Sequence, residues 1–179
     1  MSLIDISQRV SARSGVFPGD TPFSRRLVMS MAEGGSCDVG TMTTTLHVGT
    51  HADAPGHFVA GGAGIGEVPL AKYFGPVRVV ERISDAPITA EDVARWNPQR
   101  GMRYLVKTRR AVDPDVFPEE FAHLAPEAAR ALAAAGGVAI LENLDLGPAA
   151  AGPYELMAFP LRFEGADASP VRAVLRTLM

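Results

Sequence analysis

The chain has 179 residues, of which 47% are hydrophobic and 21% are charged, and its formal net charge is −3 at pH 7. The length fits one folded unit, and this charge balance gives no reason to expect nucleic acid or an anionic membrane as a partner. Cys37 is the single cysteine and neither a signal peptide nor a long apolar span is visible, so we expect a cytoplasmic protein with one domain over residues 1–179.

The N-terminal part of the chain is predicted to be rich in strands. Apolar and polar residues alternate from Leu3 to Ser7, which indicates a short strand. Residues 16–22 have the proline and glycine content of a loop, and a β-rich region is expected from Arg26 to His47. Residues 48–69 hold many glycines, prolines and alanines, so we expect an irregular loop on the surface or over a site.

The rest of the chain mixes strands and helices. Apolar runs predict strands at residues 77–83, 104–108, 138–141 and 154–163. Thr89 with Asp92 three residues later predicts a capped helix that ends near Trp96. A second helix is expected over residues 119–135, restarting at Pro126. Strands and helices without a regular βαβ repeat point to an α/β or α+β fold.

Three of the four histidines lie within the eleven residues from His47 to His57. Imidazole and carboxylate are the ligands that zinc and manganese prefer. His47, His51 and Asp53 share the parity of an extended chain, so a strand would point their side chains to one face. Because burying such polar groups unpaired is costly, the cluster predicts a metal site.

Other candidates are weaker. Cys37 could act as a nucleophile, but a lone cysteine is more often inert. His123 lies in the predicted helix and is expected to be a surface or packing residue. Glu142 directly follows an apolar run. A role as a metal ligand and an ordinary position at an exposed strand end explain a carboxylate there equally well. No G-x-S-x-G motif is present, so a serine hydrolase mechanism has no support.

The segment from His47 to His57 meets the pattern H-x-G-T/A-H-x-D-x-P-x-H in full, and it resembles the hallmark of the cyclase-like family of metal-dependent hydrolases. Residues 16–22, 75–79 and 154–176 agree with the same family, and the last stretch favours its formamidase branch. The resemblance covers nearly the whole chain. It implies a single α/β domain of the swivelling β/β/α type with a mixed β-sheet core.

The resemblance also implies roles for individual residues. The implied metal ligands are His47, His51, Asp53 and Glu142, with Asp53 able to bridge two ions. His57 resembles the general acid/base, and Phe17 matches an aromatic position that lies against the substrate ring. The expected cofactor is zinc, or else manganese, with one or two divalent ions per subunit. The expected assembly is a homodimer, and the expected reaction is hydrolysis of N-formyl-L-kynurenine to L-kynurenine and formate.

The chain departs from the family pattern at one place. Relatives carry a strand and a helix, with a histidine ligand of the second metal, before the strand that holds the late glutamate. Here residues 131–136 run almost directly into residues 137–142. Either the protein lacks this unit, or the present chain omits a stretch that the full protein contains. The alternatives are therefore a sister hydrolase of a cyclic or other aryl amide, and a catalytically degenerate family member.

Overall fold

The computed structural model describes residues 1–136 and 139–178. The strands are β1 (Leu3–Asp5), β2 (Ser24–Met29), β3 (Val39–Thr43), β4 (His51–Asp53), β5 (Phe74–Glu81), β6 (Arg103–Lys107), β7 (Ile140–Glu142), β8 (Gly152–Met157), β9 (Ala168–Pro170) and β10 (Val174–Thr177). The helices are α1 (Pro55–Phe58), α2 (Ala90–Trp96) and α3 (Pro126–Gly136), and 3₁₀ turns lie at Met31–Glu33, Ile65–Glu67 and Leu70–Lys72.

A mixed five-stranded sheet forms the centre of the fold. Its strand order is β1-β10-β8-β5-β6, in which β5 and β6 are parallel and the other neighbours are antiparallel. Burial alternates along β5, so Val77 and Val79 face the core while Arg78 faces outward. Leu156 and Leu175 pack into the same core. Burying each of these side chains contributes about 1.5–3 kcal/mol.

A second sheet carries the histidine motif. Its order is β7-β4-β9, so β4 is the central strand and pairs antiparallel with both neighbours. Ala52 and Ala54 form a small core with Ile65 and Tyr73 on this side of the molecule. Leu141 packs against this core and against the core of the central sheet, and so does Val171. Through these shared contacts the two sheets pack against each other.

Two further units lie outside the sheets. The helices α2 and α3 pack on each other through Val93 and Ala128, and a Thr89–Asp92 capping box begins α2 as predicted. The strands β2 and β3 form an antiparallel hairpin whose residues are all exposed. Among the described residues, no helix combines the length and the apolar character needed to cross a bilayer.

The predicted α/β fold with a mixed sheet is confirmed, but several local predictions are wrong. Residues 48–69 are not a surface loop throughout, because β4 is buried at the centre of a sheet. The predicted strand over residues 154–163 ends at Met157. Val138, predicted as the first residue of a strand, lies outside the described residues, and that strand is seen at Ile140–Glu142.

The predicted helix over residues 119–135 exists only from Pro126 onward. Before it the chain is extended, because Ile88 N donates to the carbonyl of His123 and Ala125 N donates to the carbonyl of Ile88. Proline at position 126 also disfavours a helical conformation at Ala125. His123 is therefore a residue of an extended segment and not of a helix.

Candidate metal centre

The buried strand β4 presents two of the motif residues on one face. His51 and Asp53 are two positions apart on the strand, and their side chains are only 3% and 2% exposed. The Nε2 atom of His51 lies 3.3 Å from Oδ1 of Asp53. The period of two that places them together is the one expected from the sequence.

A turn, and not the strand, brings His47 to the same point. His47 precedes β4 in a turn that contains Gly49, whose φ is +57°. Its Nδ1 atom lies 3.1 Å from Oδ1 of Asp53. His47 is therefore not brought to the site by the parity of an extended chain, which is a correction, although the structure groups these three residues as predicted.

The backbone at Gly49 fixes the orientation of His51. The Nδ1 atom of His51 lies 2.8 Å from the carbonyl oxygen of Gly49. A carbonyl oxygen only accepts hydrogen bonds, so Nδ1 carries the proton and Nε2 presents a lone pair toward Asp53. An imidazole held in this way by a backbone carbonyl is the usual arrangement of a metal ligand.

The surroundings of the Asp53 carboxylate are better suited to binding a cation than to donating hydrogen bonds to it. Its Oδ1 atom is buried and accepts no hydrogen bond from the described residues, although two imidazole nitrogens are close by. A tetrahedral ion with ligand distances of about 2.1 Å keeps its donor atoms about 3.4 Å apart. Oδ1 lies 3.1 Å from the nearer nitrogen of His47 and 3.3 Å from that of His51, so the spacing of each pair is close to this value.

Glu142 reaches the centre from the neighbouring strand. It is paired with His51 in the β4–β7 register, and its Oε2 atom lies 3.7 Å from Nε2 of His51. The pKa of Glu142 is raised overall. Burial is the largest cause and the negative charge of Asp53 adds to it, while the nearby histidines act in the opposite direction. For His51, burial lowers the pKa, but the Asp53 carboxylate, the Gly49 carbonyl and Glu142 outweigh burial and raise it.

His57 lies beside this cluster in a more open position. It belongs to the short helix α1, which begins at Pro55, and its side chain is 35% exposed. The ring centroids of His57 and His47 are 4.4 Å apart. Two groups of potential ligands share Asp53, namely His47 with His57 and His51 with Glu142, and the ligand atoms of each group lie within 4.8 Å of one another.

Asp167 also belongs to this cluster, although it was not among the residues predicted from the sequence. Its Oδ2 atom lies 3.0 Å from Nε2 of His47 and 3.3 Å from Nδ1 of His57. The hydrogen bond with His47 lowers the pKa of Asp167 most, against partial burial, and His57 adds to it. The available signal was its position within residues 154–176, the stretch that favours the formamidase branch.

Among the described residues, none of the remaining candidates belongs to either group of potential ligands. Phe17 is exposed, and its ring meets Phe117 edge-on at a centroid distance of 5.5 Å. His123 contacts the ring of Phe121 and, among the described residues, joins neither ligand group. Cys37 is exposed on the segment between β2 and β3, with its sulfur 3.8 Å from that of Met29.

Known proteins are similar to this chain in both sequence and fold. The sequence model of the family described as putative cyclase matches residues 4–142. A kynurenine formamidase from Delftia acidovorans (strain DSM 14801 / SPH-1) is 38% identical over 205 residues, with 98% of each chain covered. A kynurenine formamidase from Paracidovorax citrulli (strain AAC00-1) is 38% identical over 208 residues, covering 98% of this chain and 96% of its own.

A solved structure described as a potential metal-dependent hydrolase with cyclase activity has a TM-score of 0.83 and 28% identity, covering 97% of this chain and 96% of its own. The alignment with the Delftia protein is 26 residues longer than the 179 residues of this chain. That relative therefore contains at least 26 residues with no counterpart here, which is the size of a short strand and a helix.

Proposed function

Because the chain belongs to the putative cyclase family, we propose that it is a metal-dependent amidohydrolase that converts N-formyl-L-kynurenine to L-kynurenine and formate. The observation that carries the proposal is the buried carboxylate of Asp53, whose Oδ1 atom faces two imidazole nitrogens and accepts no hydrogen bond from the described residues. Such an atom is costly to bury unless it binds a cation.

The residues that would hold the ion are His47, His51, Asp53 and Glu142. Two imidazoles with two carboxylates form a donor set that suits zinc, with manganese as the second choice. The two groups of potential ligands share Asp53 but divide His47 from His51, so the proposed content is one or two ions per subunit. A second ion stays an alternative that measured metal content decides.

A divalent ion bound here supplies a Lewis acid that makes hydroxide available near neutral pH and polarises the formyl carbonyl. The partly exposed position of the His57 side chain beside the cluster supports His57 as the group that moves the proton. In the proposed reaction the water oxygen bonds to the formyl carbon, and His57 accepts the proton that water loses. When the carbon–nitrogen bond breaks, His57 returns that proton to the aniline nitrogen, and the formic acid that is released loses its remaining acidic proton to solvent to give formate.

The aromatic ring of the substrate needs a complementary surface. Phe17 is exposed and is held edge-on against Phe117, so one face of its ring is available for stacking. Its loop is tied to the segment that leads to His47, because Thr45 N donates to the carbonyl of Thr21. These features support Phe17 as a substrate-binding residue.

We further propose that the protein is a cytoplasmic homodimer with one domain per subunit. The support for a dimer is the exposed hairpin of β2 and β3, which presents apolar side chains. Those side chains are Leu27, Val28, Met29, Val39 and Met42. Exposed apolar side chains concentrated on one hairpin are a feature of protein interfaces.

The test of the function is release of kynurenine from N-formyl-L-kynurenine. Purified protein is assayed with zinc or manganese and with EDTA, beside His57→Ala and the matched control His123→Ala. We expect turnover that EDTA abolishes, a loss of about a hundred- to ten-thousandfold in His57→Ala, and little change in the control. Metal-loaded, folded protein without turnover would exclude this substrate.

One observation favours a second candidate, a catalytically degenerate relative. The Delftia protein contains at least 26 residues that this chain lacks, and the missing unit of the family pattern would carry a metal ligand. A degenerate relative should purify without stoichiometric metal, whereas a metalloenzyme should retain it. A sister hydrolase of another aryl or cyclic amide would keep the metal and differ in substrate scope.

A further inference from the structure

One carboxylate oxygen is shared by two histidines that have different chemical tasks. Oδ2 of Asp167 lies 3.0 Å from Nε2 of His47 and 3.3 Å from Nδ1 of His57. The two imidazole rings are themselves 4.4 Å apart. Asp167 is thus the group that connects the proposed metal ligand to the proposed acid/base.

The backbone fixes where Asp167 lies. Its carbonyl accepts a 2.8 Å hydrogen bond from Ala54 N, at the residue that precedes α1. The carbonyl of Ala166 accepts another from Ile65 N, also 2.8 Å long. Ala168 then begins β9 and pairs with Asp53. The segment is therefore anchored both to the helix of His57 and to the strand of Asp53, although the Asp167 side chain is half exposed.

The contacts determine which ring nitrogens carry protons. A carboxylate accepts hydrogen bonds, so Nε2 of His47, which is in hydrogen-bond geometry with Asp167, carries the proton. Nδ1 of His47 lies close to Oδ1 of Asp53 without a hydrogen bond and presents a lone pair. A histidine ligand that donates its second ring N–H to a carboxylate is held in one tautomer and orientation. His57 likewise donates from Nδ1, which leaves the lone pair on Nε2 free to accept a proton from water.

We propose that Asp167 is a positioning residue that fixes the tautomer and orientation of both His47 and His57. It couples metal binding to proton transfer through one oxygen atom. The part that concerns His57 in turnover rests on the proposed function, whereas the part that concerns metal binding does not.

The experiment compares Asp167→Asn with wild type and with Glu164→Gln. Glu164 is an exposed carboxylate in the same loop, so its variant controls for the loss of charge. Asp167→Asn should weaken zinc binding about ten- to a hundredfold, measured on metal-free protein by competition with a chelator. It should also lower kcat by a similar factor while KM changes little, since Asp167 acts on the acid/base and not on the substrate.

A spectroscopic measurement separates positioning from a general structural effect. In zinc-loaded protein, the ring nitrogen NMR signals of His57 should report the Nδ1–H tautomer in wild type and in Glu164→Gln, and a mixture of tautomers in Asp167→Asn. Asp167→Glu keeps a carboxylate and should restore zinc affinity to within severalfold of wild type.

Unchanged zinc affinity in Asp167→Asn, or an unchanged His57 tautomer, would overturn the proposal. Neither measurement uses substrate, so both remain decisive if N-formyl-L-kynurenine proves not to be hydrolysed. If the wild-type protein shows no turnover, but Asp167→Asn has the expected effects on zinc binding and on the His57 tautomer, the result counts against the proposed function alone.

Discussion

His51 and Glu142 lie directly opposite each other in the antiparallel pair of β4 and β7, with Nε2 of His51 3.7 Å from Oε2 of Glu142. Because side chains alternate between the faces of a strand, a slip of one residue would turn Glu142 to the other face of the sheet. The register of β4 with β7, whatever the length of the chain before β7, therefore decides whether Glu142 reaches His51. Any version of the chain with a longer connection must deliver Glu142 to the same partner.

Removing the Asp53 carboxylate should abolish stabilisation by metal. In wild type, zinc at a hundred times its Kd should add about 2.7 kcal/mol to the free energy of unfolding. In Asp53→Asn the central donor is neutral, so thermal unfolding should be insensitive to zinc. The control is Glu119→Gln, an exposed carboxylate outside the cluster. A zinc-dependent rise in Tm in Asp53→Asn as large as in wild type would contradict the assigned ligand.

Zinc affinity should fall as the pH is lowered. The raised pKa of His51 means that the imidazole keeps its proton to a higher pH than an ordinary histidine, and Glu142 is shifted in the same direction. Bound metal requires both groups without the proton, so below the pKa of His51 protons compete with zinc. We expect about a tenfold loss of affinity per pH unit for each proton displaced, measured by chelator competition between about pH 5.5 and about pH 8. Affinity that stays flat across this range would argue against His51 as a ligand.

Gly49→Ala should destabilise the fold and weaken zinc binding. The φ of +57° costs a residue with a Cβ roughly 1–2 kcal/mol. The added Cβ would also lie 2.9 Å from Cγ2 of Val10. Relaxation of the turn would displace the carbonyl that orients His51. Gly61→Ala is the matched control, because Gly61 also has a positive φ but its Cβ would meet nothing within 4 Å.

Both glycine variants are compared by thermal unfolding and by zinc titration. We expect Gly61→Ala to lose stability from backbone strain and to keep its zinc affinity. Equal zinc affinity in Gly49→Ala and wild type would show that this carbonyl does not hold the imidazole.

Phe17→Ala should raise KM for N-formyl-L-kynurenine more than it lowers kcat. The stacking contact is worth about 1 kcal/mol, which corresponds to about fivefold in affinity. Phe17→Trp keeps an aromatic face and should bind the substrate at least as well as wild type. Steady-state kinetics of both variants check this, and an Ala variant with wild-type KM would remove Phe17 from the substrate site.

Charged residues on the β2–β3 hairpin should dissociate the dimer. Met42→Asp and Leu27→Asp place a carboxylate on exposed apolar positions of the hairpin, so the subunit should still fold. Light scattering coupled to size-exclusion chromatography should then give the mass of a monomer. Val116→Asp, at an exposed apolar residue outside the hairpin, should leave the mass unchanged. A dimer that persists in both hairpin variants would mean that another surface forms the interface.

The sequence was most informative where local rules decide the structure. The period of two along β4 correctly placed His51 and Asp53 together, and the capping box correctly predicted the start of α2. His47 was grouped correctly for the wrong reason, because the positive φ at Gly49 turns the chain before the strand.

The features that the sequence did not reveal depend on distant parts of the chain. The pairing of Glu142 with His51 follows from strand register, and the contact of Asp167 with two histidines follows from the β4–β9 pair and the Ala54 hydrogen bond. Residues 119–125 have a helical composition, but pairing with Ile88 keeps residues 123–125 extended. Composition and periodicity contain no information about such partners.

The strand order β7-β4-β9 also determines when the centre can form during synthesis of the chain. The motif from His47 to His57 leaves the ribosome long before Glu142 and Asp167 are made, because both strands that flank β4 come from the last quarter of the sequence. β1 likewise waits for β10, its partner in the central sheet. The nascent chain therefore exposes three histidines and an aspartate without their partners, so the proposed metal centre is complete only after its last strands have been translated.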